Sequence, residues 1–141
     1  MQHDEESLAE EIRKKIDILN LSNYVTFHPG TTEIVLHYQN ADIFCLPSSY
    51  EGFPNVICEA MSCAKPIVCS RVCDNPTIVR EGENGLLFDP HDVNDIAEKL
   101  HIMLSKNQEE LKTWGQRSRQ IALEMFSKDA FVQKYINLIG D

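Results

Sequence analysis

The sequence predicts a parallel α/β fold: a sheet of about four strands with helices on both faces. Two observations carry this expectation. Short apolar runs at residues 25–27, 43–46, 67–69 and 86–88 recur along the chain. They are apolar nearly throughout instead of alternating, as strands buried on both faces are. Stretches of helical periodicity separate most of them, so each strand returns beside the last by a right-handed crossover. The 141 residues suffice for one domain with its own core.

Taken in order, residues 5–20 read as a helix. Leu8, Ile12, Ile16 and Leu19 form one apolar stripe, with acidic residues leading and basic ones following. The 25–27 strand is closed by His28-Pro29-Gly30. Thr31 or Thr32 can cap a helix running to Asn40, with Ile34, Val35 and Tyr38 inward. The strand at 43–46 ends at Pro47 and two serines, and a helix from Pro54 to Cys63 follows. Past the 67–69 strand comes a polar loop at Asp74-Asn75-Pro76 and one helical turn at 77–80. The loop 81–85 leads into the 86–88 strand. Asp92 caps a helix with Val93, Ile96, Ala97, Leu100 and Leu104 on one face. A helix at 108–126 turns Leu111, Trp114, Ile121 and Met125 inward. Ser127 caps a last helix carrying Phe131, Tyr135 and Leu138. With no strand left to enter, that helix is expected to pack on another domain.

Composition narrows the function. The chain is 43% hydrophobic and 25% charged, as ordinary globular proteins are. A net charge of −9 argues against nucleic acid, which needs a basic surface. No apolar run approaches the ~20 residues of a membrane span. The acidic, polar start (Met1 to Glu6) does not read as a signal peptide. Five cysteines, Cys45, Cys58, Cys63, Cys69 and Cys73, form no CxxC pair. Neither a metal site nor a disulfide framework is expected, and a reducing cytoplasm fits. Cys45 and Cys69 fall within apolar runs, where a thiol acts as a small hydrophobe.

The polar loop after the 43–46 strand is the candidate site, because ligands of parallel sheets sit beyond the strands' carboxyl ends. Gly52 permits close backbone approach. The first N–H groups of the next helix, at Asn55, Val56 and Ile57, are expected to be unpartnered and to suit a diphosphate. Glu59 shares a helix face with Asn55 and leans back toward the loop. A carboxylate repels phosphate, so Glu59 suits sugar hydroxyls, and Glu51 can serve a second sugar. A nucleotide-sugar has that shape. The ordinary alternative is that both glutamates are solvated surface residues.

These residues resemble the retaining glycosyltransferases of the GT-B fold, in the large group 1 (family 4) class. The likeness rests on E-x7-E, Glu51 to Glu59, within PSSYEGFPNVICEAM. Val25-Thr26-Phe27, Ala41-Asp42-Ile43, Lys65-Pro66-Ile67-Val68, Glu83-Asn84-Gly85-Leu86-Leu87-Phe88 and Phe126-Ser127 extend it over residues 24–138. It implies a Rossmann-like donor-binding domain of a C-terminal type, part of an enzyme that moves a sugar from a UDP- or GDP-sugar to a glycan, lipid or small-molecule acceptor. No cofactor and no metal held by this domain are implied. Glu51 would contact the donor sugar near the reacting centre, as the catalytic residue. Gly52, Phe53, Asn55 and Val56 would line the sugar and diphosphate, and Glu59 would hold the ribose. His28, Pro29 and Gly30 would border the base, although a loop histidine is ordinarily solvated and not a catalytic base.

The chain also departs from that family. Ala64 replaces a usual glycine before Lys65-Pro66, at roughly 1 kcal/mol if the position needs positive φ. Thr77 stands where a glutamate is common. The acceptor-binding N-terminal domain and a first strand–helix–strand unit, with its diphosphate-neutralising arginine and lysine, are expected to be missing partners of residues 1–141. The chain alone would then be inactive. A full-length protein would be cytoplasmic, with attachment to the inner membrane face left open. Two alternatives remain: a non-catalytic module kept for assembly, and a sugar-nucleotide epimerase of the same fold. A phosphorylase is disfavoured, as nothing marks a cofactor lysine.

Overall fold

The computed structural model describes residues 2–140, and side chains from residue 8 onward. The chain divides into two compact units, Met1–Thr32 and Glu33–Asp141. The first unit holds helix α1 (Gln2–Ile18) followed by irregular chain. The Arg13 guanidinium lies 4.9 Å over the Phe27 ring, and Ser22 Oγ donates to Asp17 (2.8 Å). Of the apolar stripe, Leu8, Ile12 and Leu19 are exposed. Residues 25–27 form no strand. A strand needs a neighbour for its N–H groups, and the Val25 N–H is instead used in a turn, donating to the Leu21 carbonyl (3.1 Å).

The second unit contains three strands among the described residues, β1 (Phe44–Leu46), β2 (Ile67–Ser70) and β3 (Gly85–Phe88). They lie in the order β1-β2-β3, all parallel, with Phe44 opposite Ile67 and Ile67 opposite Gly85. The sheet is therefore parallel as expected, with three strands in place of about four. Helices α2 (Ile34–Asn40), α3 (Asn55–Ser62), α4 (Asn75–Ile78), α5 (Val93–Leu104), α6 (Gln108–Phe126) and α7 (Lys128–Ile139) complete the unit.

The strand pleat sorts the core onto two faces. Ile67, Cys69 and Leu87 pack with Ile57, Ala60 and Met61 of α3 and Ile121 and Ala122 of α6. Val68, Leu86 and Phe88 pack with Met103 of α5 and Leu111 of α6, backed by Ile96, Leu100 and Trp114. Helix α6 thus serves both faces. Its start is fixed by a capping box: Asn107 accepts from the Glu110 N–H, and Glu110 accepts from the Asn107 N–H, each at 3.0 Å. Farther along, buried Ser118 meets buried Asn84, whose amide donates to Ser118 Oγ (3.3 Å) and accepts from the Arg80 N–H (2.8 Å).

Helix α6 crosses close to the end of α3. A Cβ on Gly115 would collide with the Ala64 carbonyl. Ala64 adopts φ +56°, so the position does take the left-handed conformation that would make a glycine there favourable. It closes α3 with paired bonds, Ala64 N–H to Met61 O (2.9 Å) and Lys65 N–H to Ala60 O (3.1 Å).

Several inward faces differ from expectation. Helix α2 begins at Ile34 after Glu33, not at a threonine cap, and Ile34 and Val35 are exposed, leaving Tyr38 as its buried residue. A helix of two turns presents too narrow a stripe for all three side chains to reach the core. On α5, Val93 and Leu104 point out and Met103 takes the buried place. Cys69 is buried, but Cys45 is exposed because β1 is an edge strand. All five cysteines are free thiols.

Two substitutions test the crossing. Ala64→Gly is expected to raise stability by about 1 kcal/mol, by relieving the left-handed Cβ. Gly115→Ala is expected to lower it by about 1–3 kcal/mol, because a methyl must displace backbone. Urea unfolding of both variants measures the two shifts.

Candidate functional site

The candidate loop, residues 47–54, leaves the carboxyl end of β1 and enters α3 through Pro54, which is fully buried. Glu51 is half-buried, and its Oε1 accepts a hydrogen bond from Ser48 Oγ (2.5 Å). Gly52 is exposed, does not adopt positive φ, and a Cβ there would meet nothing within 4 Å. Its backbone conformation is therefore open to other residues, and the space over it is what a side chain would take. Phe53 is exposed on one side and meets the ring of Phe126 edge-on, with centroids 5.9 Å apart.

The helix start is less open than the sequence suggests. The Asn55 N–H bonds to Phe53 O (2.9 Å) and the Ile57 N–H to Pro54 O (3.0 Å). Of the three expected donors, among the described residues Val56 keeps an N–H without a backbone acceptor. The tight turn through Pro54 is the reason, since it folds its own carbonyls back over the first helical turn.

Glu59 lies one turn into α3, exposed, with Oε2 accepting from Tyr38 Oη (3.0 Å). Tyr38 is 5% exposed and packs edge-on against Phe44 of β1 (5.6 Å). Burial, and then the bond to Glu59, push its pKa up to about 12. The phenol therefore stays protonated, a fixed donor at any physiological pH. A carboxylate offers about four acceptor positions, so one bond from Tyr38 orients Glu59 and leaves room for two hydroxyls.

The structure thus gathers Glu51, Gly52, Phe53, Asn55, Val56 and Glu59 at one strand–loop–helix junction. His28, Pro29 and Gly30 lie in the Met1–Thr32 unit, on chain without helix or strand. Sequence reasoning missed Ser48 and the tie from Tyr38. Ser48 stands three residues before Glu51, a spacing that could have been noticed. The Tyr38–Glu59 pair spans 21 residues and had no local signal. Thr77 donates to the Asp74 carbonyl of its own turn (2.7 Å). Arg71, just past β2, is paired with Glu81 (2.8 Å), whose carboxyl is held below the usual range chiefly by that bond. Among the described residues, no group of three His, Cys, Asp or Glu side chains could hold a metal ion. No described helix is long and apolar enough to cross a membrane.

Residues 4–121 match the family described as "Glycosyl transferases group 1". Over 92 residues, 64% of this chain and 21% of the relative, the chain is 37% identical to the D-inositol 3-phosphate glycosyltransferase of Thermobifida fusca. Over 137 residues, 96% of this chain and 28% of the relative, it is 27% identical to the poly(ribitol-phosphate) alpha-N-acetylglucosaminyltransferase of Staphylococcus aureus. Among solved structures, it resembles Anabaena HepE in complex with UDP, with a TM-score of 0.86 and 25% identity over 97% of this chain and 38% of that one. It also resembles the sucrose-phosphate synthase of Thermosynechococcus elongatus, with a TM-score of 0.79 and 28% identity over 95% and 35% of the two chains. The chain spans about a fifth of the length of the first of these relatives.

The Tyr38–Glu59 pair predicts a pH effect of known sign. A phenol whose folded pKa is raised from 10 to about 12 adds stability that is whole below pH 10 and is lost as pH climbs to about 12. Tyr38→Phe should remove the highest-pH step of the tyrosinate absorbance titration and flatten the fall in stability across that window.

Proposed function

The chain belongs to the group 1 glycosyl transferases, and from that membership we propose that it is the nucleotide-sugar-binding part of a longer, retaining glycosyltransferase. It has the parallel α/β layering of the GT-B enzymes it resembles. The observation that carries the proposal is the pair of carboxylates on either side of the open space over Gly52 and the unengaged Val56 N–H, each steadied by a hydroxyl, Ser48 for Glu51 and Tyr38 for Glu59. Two oriented acceptors flanking an uncovered backbone suit a ligand with hydroxyls at both ends and an anion between them.

In this reading Glu59 takes the ribose hydroxyls and Glu51 the donor sugar near the carbon that reacts. The Val56 N–H and the bare Gly52 backbone meet the diphosphate and sugar. UDP in the related HepE structure favours a uridine donor over a guanosine one. Residues 1–141 are then one donor-binding domain. The acceptor domain, and the cations that steady the leaving diphosphate, come from elsewhere in the full protein. His28, Pro29 and Gly30 are assigned to the neighbourhood of the base by likeness alone.

A second reading, a module retained for assembly, is favoured by α7, which among the described residues buries no side chain and exposes Phe131, Val132, Tyr135 and Ile136.

Titration of the folded chain with UDP and with GDP separates the two readings. UDP is expected to bind at millimolar concentration or below, and binding of neither nucleotide would sink the donor-site reading. Glu59→Gln should weaken UDP by about tenfold or more, the worth of charged hydrogen bonds. Gly52→Ala should leave the melting temperature unchanged and weaken UDP-sugar binding, since its methyl meets only open space in the free protein. In the full-length enzyme Glu51→Gln should lower turnover sharply, and normal turnover would remove Glu51 from the reaction.

A further inference from the structure

We propose that Phe126 is a positioning residue for the donor loop, acting through Phe53. The inference rests on the donor reading above for its functional consequence, but its structural part stands alone. Phe53 lies between Gly52 and Pro54, so the setting of its ring governs where the Gly52 backbone and the Glu51 carboxylate point. The loop's own bond, Ser48 to Glu51, is local and cannot place the loop against the rest of the molecule. Buried Pro54 anchors one end. The ring of Phe53 reaches outside the loop, and Phe126 is what it meets, edge-on at 80°.

Phe126 is well suited to transmit position. It is the last residue of α6, and the chain breaks direction immediately after it, where Ser127 turns extended (φ −65°, ψ 158°) and caps α7 through the Ala130 N–H (3.1 Å). One turn earlier Ile121 and Ala122 are locked in the core, so the end of α6 is a fixed post. The ring itself is less constrained. It is 37% exposed and borders a cavity of about 150 Å³ shared with Ser62, Arg119 and Leu123. The contact with Phe53 is therefore a ring edge against a ring face, not a filled core position, and its loss should free the loop without unfolding the sheet.

Amide NMR of the 141-residue chain, with UDP as probe, tests this. Phe126→Leu keeps the bulk and removes the ring. It should move the Gly52 and Val56 amide resonances, weaken UDP by about two- to tenfold, the range an aromatic pair supports, and leave the melting temperature within a few degrees. Phe126→Tyr should restore both readouts. Leu123→Ala, on the same cavity but leaving the Phe53–Phe126 ring pair in place, should disturb neither. Unmoved loop amides in Phe126→Leu, or equal shifts in Leu123→Ala, would overturn the proposal. If the loop amides move but the unaltered chain does not bind UDP, the positioning contact stands and the donor reading falls.

Discussion

The close passage of Gly115 over the Ala64 carbonyl is the constraint on which the architecture depends. Because no side chain stands between them, α6 can run beneath the end of α3 and contribute Leu111 to the core on one face of the sheet and Ile121 to the core on the other. A three-stranded sheet is narrow, and one long helix joining both of its faces makes a single body of what would be two thin layers. The left-handed turn at Ala64 is a consequence of the same geometry. The chain must reverse from α3 into β2 within a few residues while lying flat under α6.

That body sets the site. The end of α3 is fixed by the crossing and its start by Pro54, so Glu59 is held in a known direction before any ligand arrives. Tyr38 reaches it from α2, packed against Phe44 at the start of β1, and stays protonated because it is buried. Glu51 depends on its own loop and on Ser48. The two carboxylates are thus held differently: one by tertiary packing, the other by local turn chemistry. Arg71 follows the carboxyl end of β2 directly, but its charge is engaged by Glu81.

Much of this was legible in the order of residues. The strands at β2 and β3 were read correctly because each carries three consecutive buried apolar residues, 67–69 and 86–88. The caps at Asp92 and Ser127 were legible because capping is a contact between neighbours in sequence. The pairing of Asn55 with Glu59 was legible because a helix converts a spacing of four directly into a shared face, whereas Glu51 lies on the loop before it. The reading failed where a triplet of β-forming residues needed a distant partner. Residues 25–27 have the composition of a strand and close a turn instead. It failed again at the start of α3, where the turn through Pro54 engages donors that helix geometry alone would leave free.

By itself, then, the sequence determined the alternation of strand and helix, the parallel sheet, and the caps at Asp92 and Ser127. All of these follow from periodicity and from contacts between near neighbours. The tertiary structure alone decided which faces are buried, that Tyr38 holds Glu59, that Phe126 meets Phe53, and that Ala64 must be left-handed beneath Gly115. Each joins segments far apart in the chain, and their meeting depends on how the helices close over the sheet, which no local pattern encodes.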